Sequence, residues 1–231
     1  MRPLFSNREY AGKLLGAALE RYRTEDCLVL ALPRGGVPVA AEIAAVLHAP
    51  LDILLVRKIG VPQYPELAMG AVVDGGAPVI VRNEEVIRET GTSEEAFNTV
   101  CARELKEIER RREIFQRGRP AQNPKDRVVI VVDDGIATGA TMRAALQAVR
   151  MRQPKKLIMA APVAARDTLQ SLSDQADETV CLASPEMFGA VGYYYADFAQ
   201  VDDSEVVELL SRNCAPSRSR MSSMGDTKAL S

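Results

Sequence analysis

The sequence predicts an α/β fold built on a mostly parallel sheet flanked by helices. Short continuous apolar runs rich in Val, Ile and Leu recur along the chain, and stretches with apolar residues on a single helical face follow them. Such runs lack the alternation of a strand with one wet side, so both faces of the sheet are covered. With 231 residues, 47% of them apolar, the chain has material for a real core and is neither fibrous nor disordered. The first run, 27–32, is a strand, and Ala40, Ile43, Ala44 and Leu47 mark the helix after it. Runs 51–56 and 128–132 are the next core strands, and Met142, Ala145, Leu146 and Val149 form a helix face directly after the latter. Runs 157–162 and 179–182 continue the alternation. Sheets of this kind bind ligands at the carboxyl ends of their strands.

Two parts stand outside that pattern. Segment 60–125 is a helical insert, in which a Pro- and Gly-rich stretch and a short strand-like piece, 78–82, precede a long charged helix with the apolar face Phe97, Cys101, Leu105 and Ile108. Between Cys101 and Arg127 nine Lys and Arg face five acids, a local +4. That helix is either a solvated face laced by pairs such as Glu107 with Arg111, or a dimer or substrate-covering surface. The tail, 215–231, is rich in Ser, Arg and Met, has no periodicity and is expected to be disordered. One domain over 1–214 is therefore expected, with an insert or flap at about 60–125 and a small hood at about 183–214.

Charge and composition exclude several function classes. The net charge of −2 gives no general attraction to nucleic acid or anionic membrane, so neither is an expected partner. The apolar runs fall far short of the roughly 20 residues of a membrane span, and the first ten residues do not read as a signal peptide. Four scattered cysteines, Cys27, Cys101, Cys181 and Cys214, form no C-x-x-C pair and suit neither a disulfide framework nor a zinc site. A reducing cytoplasm is the expected setting.

The stretch from Val128 to Thr141 carries the most chemistry. A buried strand runs into Asp133 and Asp134, then Gly135, Ile136, Ala137, Thr138, Gly139, Ala140 and Thr141, and then a helix. Small residues and hydroxyls between a strand end and a helix start direct several backbone N–H groups at one point, where the helix dipole favours an anion. This is a phosphate cradle, without the Lys of a nucleoside triphosphate loop or the G-x-G-x-x-G of a dinucleotide fold. Two adjacent carboxylates cannot favour phosphate, but they accept hydrogen bonds from vicinal hydroxyls. A phosphate beside a diol suggests a ribose 5-phosphate.

This run resembles the 5-phosphoribosyl-1-pyrophosphate (PRPP) signature of type I phosphoribosyltransferases, an acidic pair followed by x-x-x-T-G-x-T. The resemblance implies that Asp133 and Asp134 hold the ribose hydroxyls while residues 137–141 surround the 5′-phosphate. Pro33, Arg34, Gly35 and Gly36, after the first core strand, look like the family's pyrophosphate loop, where glycines admit phosphate oxygens and an Arg supplies a bidentate charge. Arg57, Lys58, Ile59, Gly60, Val61 and Pro62 are similar to the R-K-x-G-x-x-P stretch of adenine-type enzymes, whose basic residues face pyrophosphate; they are expected at the carboxyl end of the second core strand. The implied reaction moves phosphoribosyl from PRPP to a nitrogenous acceptor, a nucleobase being one candidate, and releases pyrophosphate. Arg34 and Lys58 would stabilise the leaving group, helped by Mg²⁺ held chiefly by the substrate, with no dedicated protein metal site.

The acceptor is less legible. Relatives that use 6-oxopurines carry Asp where this chain has Ala137, which lowers hypoxanthine and guanine; Ala137 also occurs in the adenine-type motif, where a loop carboxylate takes the proton, and Glu66 is the candidate here. Residues 188–198 are similar to the hood run of 6-oxopurine enzymes with a spacing off by one at both ends, and Phe188 or Tyr195 either stacks on a heterocycle or fills core. His48, at a helix end, reads as structural. More loosely, residues 5–8 through 66–70 look like bacterial predicted phosphoribosyltransferases without an assigned acceptor. A homodimer is the expected assembly. The alternative function is a non-catalytic PRPP sensor, for which the chain offers no evident output domain.

Overall fold

A parallel strand must be covered on both faces and reached by a crossover, and the chain meets both demands by interleaving helices with its apolar runs. The computed structural model describes residues 3–74, 78–116 and 118–213. In chain order these form α1 (Arg8–Leu19), β1 (Cys27–Ala31), α2 (Gly36–Leu47), β2 (Leu51–Ile53), β3 (Val56–Val61), β4 (Tyr64–Val73), β5 (Val79–Arg82), α3 (Glu84–Thr90) and α4 (Glu94–Gln116). There follow β6 (Val128–Val132), α5 (Ala140–Arg150), β7 (Lys156–Val163), α6 (Arg166–Leu172), β8 (Glu178–Ala183) and α7 (Asp203–Arg212). Five strands make one parallel sheet in the order β2-β1-β6-β7-β8. Ala31 lies beside Val132, so β1 and β6 end level, while β7 runs three residues past Ala160, the partner of Val132.

Alternate strand residues feed two cores. Val29, Ile130 and Ile158 pack with α1, α2, α4 and α7, whereas Leu28, Val129 and Leu157 pack under α5. Among the described residues no helix is long and apolar enough to cross a membrane. The sequence at 215–231, expected to be disordered, lies outside the described residues.

The insert carries the expected strand at 79–82 and the expected long helix, with more strand before them than its reading as helical anticipated. Residues 56–82 build a second, antiparallel sheet in the order β3-β4-β5, before α3 and the expected long helix α4. Pro65, the bulge around Gly60 and the exposed start of β4 break the period-2 signal by which a strand is recognised. The second core strand also stops at Ile53; buried Leu54 and Leu55 carry the chain around a corner into β3. An unbroken apolar run cannot mark where pairing passes from one sheet to another, so Arg57 and Lys58 lie in the hairpin rather than at the end of a core strand.

Buried acids fasten α4 to the rest. Glu104, 5% exposed, pairs with Arg57 Nη2 at 2.8 Å and with Arg103 at 3.0 Å, and Asp74 pairs with Arg112. Asp52 accepts hydrogen bonds from Gln116 Nε2 at 3.1 Å and from the Gln122 amide at 2.8 Å, while burial pushes its carboxyl above the ordinary range. On the exposed side Glu107 pairs with Arg110 and Arg111, each at 2.8 Å.

Candidate active site

The carboxyl ends of β1 and β6 are adjacent, and the loops leaving them form the site. After Val132 the chain turns through Asp133 and Asp134 to Ile136, which is fixed to β7 by its amide on the Val163 carbonyl at 2.9 Å and by its carbonyl on the Ala165 amide at 2.9 Å. Gly139 caps α5 with φ of 74°, a left-handed conformation that a glycine adopts without steric cost. Ala137, Thr138, Ala140 and Thr141 surround this helix start, leaving an open cradle of backbone amides. Thr168 Oγ1 donates to the Ala137 carbonyl at 2.6 Å and steadies the cradle from α6.

Asp133 and Asp134 stand at the cradle's edge, both half-buried, with the Asp134 amide donating to Asp133 Oδ1 at 2.9 Å. Burial and the neighbouring Asp134 carboxylate push the Asp133 carboxyl well above its usual range. Arg34, Gly35 and Gly36 lie opposite, at the start of α2. A Cβ on Gly36 would come within 2.7 Å of the Val132 carbonyl oxygen, so glycine is what lets the two loops approach. The Pro33–Arg34 peptide is cis, and Arg34 is half-buried with Nη1 3.6 Å from Asp203. A cleft of about 510 Å³ opens between the loops and is lined by Arg8, Arg34, Gly35, Asp134, Val191, Phe198, Gln200 and Val201.

The structure thus brings together Arg34, Gly35, Gly36 and the run from Asp133 to Thr141. Lys58 and Glu66 instead form a mutual pair at 3.1 Å on the β3–β4 hairpin, with Glu66 fully exposed, and Arg57 is taken up by Glu104. Among the described residues no hydrogen bond or ion pair joins these three to Arg34 or the acidic pair. Tyr195 is 4% exposed and donates to the Asp134 carbonyl at 2.6 Å, while Phe188 stacks on Tyr194; both belong to a small aromatic core rather than to an open stacking surface. His48 is the left-handed C-cap of α2, with Nε2 2.6 Å from Arg23 Nη2.

Sequence reasoning missed Arg8 as a site residue. Asn7 caps α1 by accepting from the Tyr10 amide at 2.8 Å, which puts Arg8 in the first helical position, and its Nε donates to Asp134 Oδ2 at 2.8 Å. The only local signal is an N-cap followed by an arginine, where the helix dipole would rather have an acid. The partner lies 126 residues away.

A family model described as the phosphoribosyl transferase domain matches residues 5–198. The chain belongs to this family. A Mycobacterium tuberculosis protein with the provisional name phosphoribosyl transferase is 46% identical over 209 residues, in both strains compared, covering 90% of this chain and 47% of that one. This phosphoribosyl transferase domain therefore spans about half the length of the curated relatives it matches. The crystal structure of TT1426 from Thermus thermophilus aligns with a TM-score of 0.81 and 41% identity over 93% of this chain and 100% of that one. The type I phosphoribosyltransferase-like fold expected from the acidic signature is the fold observed.

Proposed function

We propose that the chain transfers the 5-phosphoribosyl group of PRPP to a nitrogen nucleophile of a small-molecule acceptor and releases pyrophosphate. The observation that carries this reading is the meeting of Arg34 and Asp134 in one cleft at the carboxyl ends of β1 and β6, with Asp133 and the amide cradle on the same loop as Asp134. The cradle suits a 5′-phosphate, and Asp133 and Asp134 suit the ribose hydroxyls between it and the Arg34 loop. In the reaction the acceptor nitrogen forms a bond to the anomeric carbon as the carbon–oxygen bond breaks, and the electron pair leaves with pyrophosphate. Negative charge grows on that leaving group, and the Arg34 guanidinium with the Gly35 amide answers it, the Gly36 amide being held by the Leu32 carbonyl at 3.0 Å.

Mg²⁺ fits the donor set as a substrate-held ion. Among the described residues no group of three or more His, Cys, Asp or Glu side chains forms a metal cage, so the pyrophosphate and hydroxyls would supply most oxygens, with Asp133 and Asp134 beside them. When bound, the ion adds charge to the leaving group's side of the reaction. Lys58 and Glu66 enter only if the hairpin folds over the cleft and their pair opens, freeing Lys58 for pyrophosphate and Glu66 for the acceptor's proton.

Pyrophosphate release from PRPP and Mg²⁺ tests the reading, with a pool of nucleobases and cell extract as acceptors. Wild-type protein should release pyrophosphate in an acceptor-dependent way, and Arg34→Ala should lower turnover by about 10²–10³. PRPP binding without release for any acceptor would move the protein to the sensor class, and no binding would refute the reading.

A further inference from the structure

We propose that Arg8 is a positioning residue that ties the Asp134 carboxylate to the hood, so that ribose binding and hood order are coupled. This rests on the transferase reading above. Two carboxylates one peptide bond apart repel, and each is free to rotate away unless something holds it. Arg8 supplies the hold: its Nε donates to Asp134 Oδ2 at 2.8 Å, and both side chains are only 12–13% exposed. Arg8 engages Oδ2 alone, which leaves Oδ1 for a ribose hydroxyl.

The other parts of the same guanidinium are used as well. Nη1 donates to the Ala199 carbonyl at 2.7 Å, and the guanidinium carbon lies 3.8 Å from the centroid of the Phe198 ring. A lysine could bring the charge but neither the fork nor the stacking plane. The hood is in turn stitched to the segment before α1. The Ala196 amide donates to the Phe5 carbonyl at 2.8 Å and the Asp197 amide to the Ser6 carbonyl at 2.9 Å, while Phe5 packs on Tyr195. One side chain therefore joins the ribose carboxylate to the strip that roofs the cleft. A ligand that fixes Asp134 fixes Arg8, and through it Phe198 and Ala199, before an acceptor arrives.

The test pairs PRPP titration calorimetry with amide hydrogen exchange at Ala196 and Asp197. Arg8→Gln should weaken PRPP about tenfold, and adding it to Asp134→Asn should weaken binding no further. PRPP should slow exchange of the two hood amides in wild type and leave it unchanged in Arg8→Gln, a ligand response that a merely structural role would not move. Arg8→Lys should recover part of the affinity without the ligand-linked protection. Phe198→Leu leaves Asp134 untouched and should reduce the protection too, which keeps the test open if Arg8→Gln does not fold. PRPP affinity in Arg8→Gln within about twofold of wild type, additivity with Asp134→Asn, or full protection in Phe198→Leu would overturn the coupling alone. Wild-type protein that ignores PRPP would overturn the transferase reading and this inference with it.

Discussion

Asp133 pays for its position in stability. Its carboxyl is raised in the folded protein by burial and by Asp134, so the folded chain holds that proton more tightly than the unfolded chain does. The sign follows: the native state is penalised progressively as pH rises from the ordinary aspartate range through the raised value, and the full cost is present above it. Asp133→Asn should therefore raise the melting temperature at neutral pH, and the gain should vanish below the ordinary aspartate range. Ligand linkage runs the other way. PRPP with Mg²⁺ at 100 times its dissociation constant should stabilise wild type by about 2.7 kcal/mol, and Asp133→Asn with Asp134→Asn should abolish that rise; an undiminished rise would refute the diol assignment. The acidic pair was legible because pair, glycines and hydroxyls are neighbours in sequence. Arg8 was not, since its meaning depends on a partner that only the fold brings near. Arg57 misled for the same reason, its charge being answered by a buried glutamate 47 residues away.

Elements were legible where a single period ran through them. β6 and the helix after the cradle stand where their apolar patterns put them, and the parallel sheet follows from that alternation. The hairpin was hidden because the first four of the ten residues of β4 are exposed and its pairing slips at Gly60. At the opposite end of the sheet from the cleft, Glu178 opens β8 and receives Lys156 of β7 at 2.8 Å, with Tyr22 and Arg21 also on it. Burial alone would raise its carboxyl, but the hydrogen bonds from Lys156, Tyr22 and Arg21 hold it down to about 2. A depressed acid stabilises the fold above its unfolded value and loses that contribution as pH falls towards about 2. Glu178→Gln should therefore destabilise the protein at pH 7 and flatten the acid limb of a melting-temperature profile, without changing PRPP affinity. An unchanged acid limb would show the cluster to be energetically idle.

At the scale of the whole molecule, the site is assembled from both ends of the described chain. Residues 5–8 meet 194–199 over loops that belong to the middle, and the Arg8 to Ala199 contact spans 191 residues. The sheet, by contrast, is built from neighbours in the alternation, such as β6 with β7. Loop-closure entropy makes such distant contacts the last to be rewarded during folding. On a ribosome adding roughly 5–20 residues per second, Arg8 waits about 10–40 s before its hood carbonyl exists. For the last third of that interval, once Asp133 and Asp134 have been made, the acidic pair is without its roof. Nascent chains should thus acquire their secondary structure before a closed cleft, and in refolding from denaturant PRPP binding should return later than helical circular dichroism. Simultaneous recovery would mean that the two ends find each other early, and that the roof helps to template the sheet beneath it.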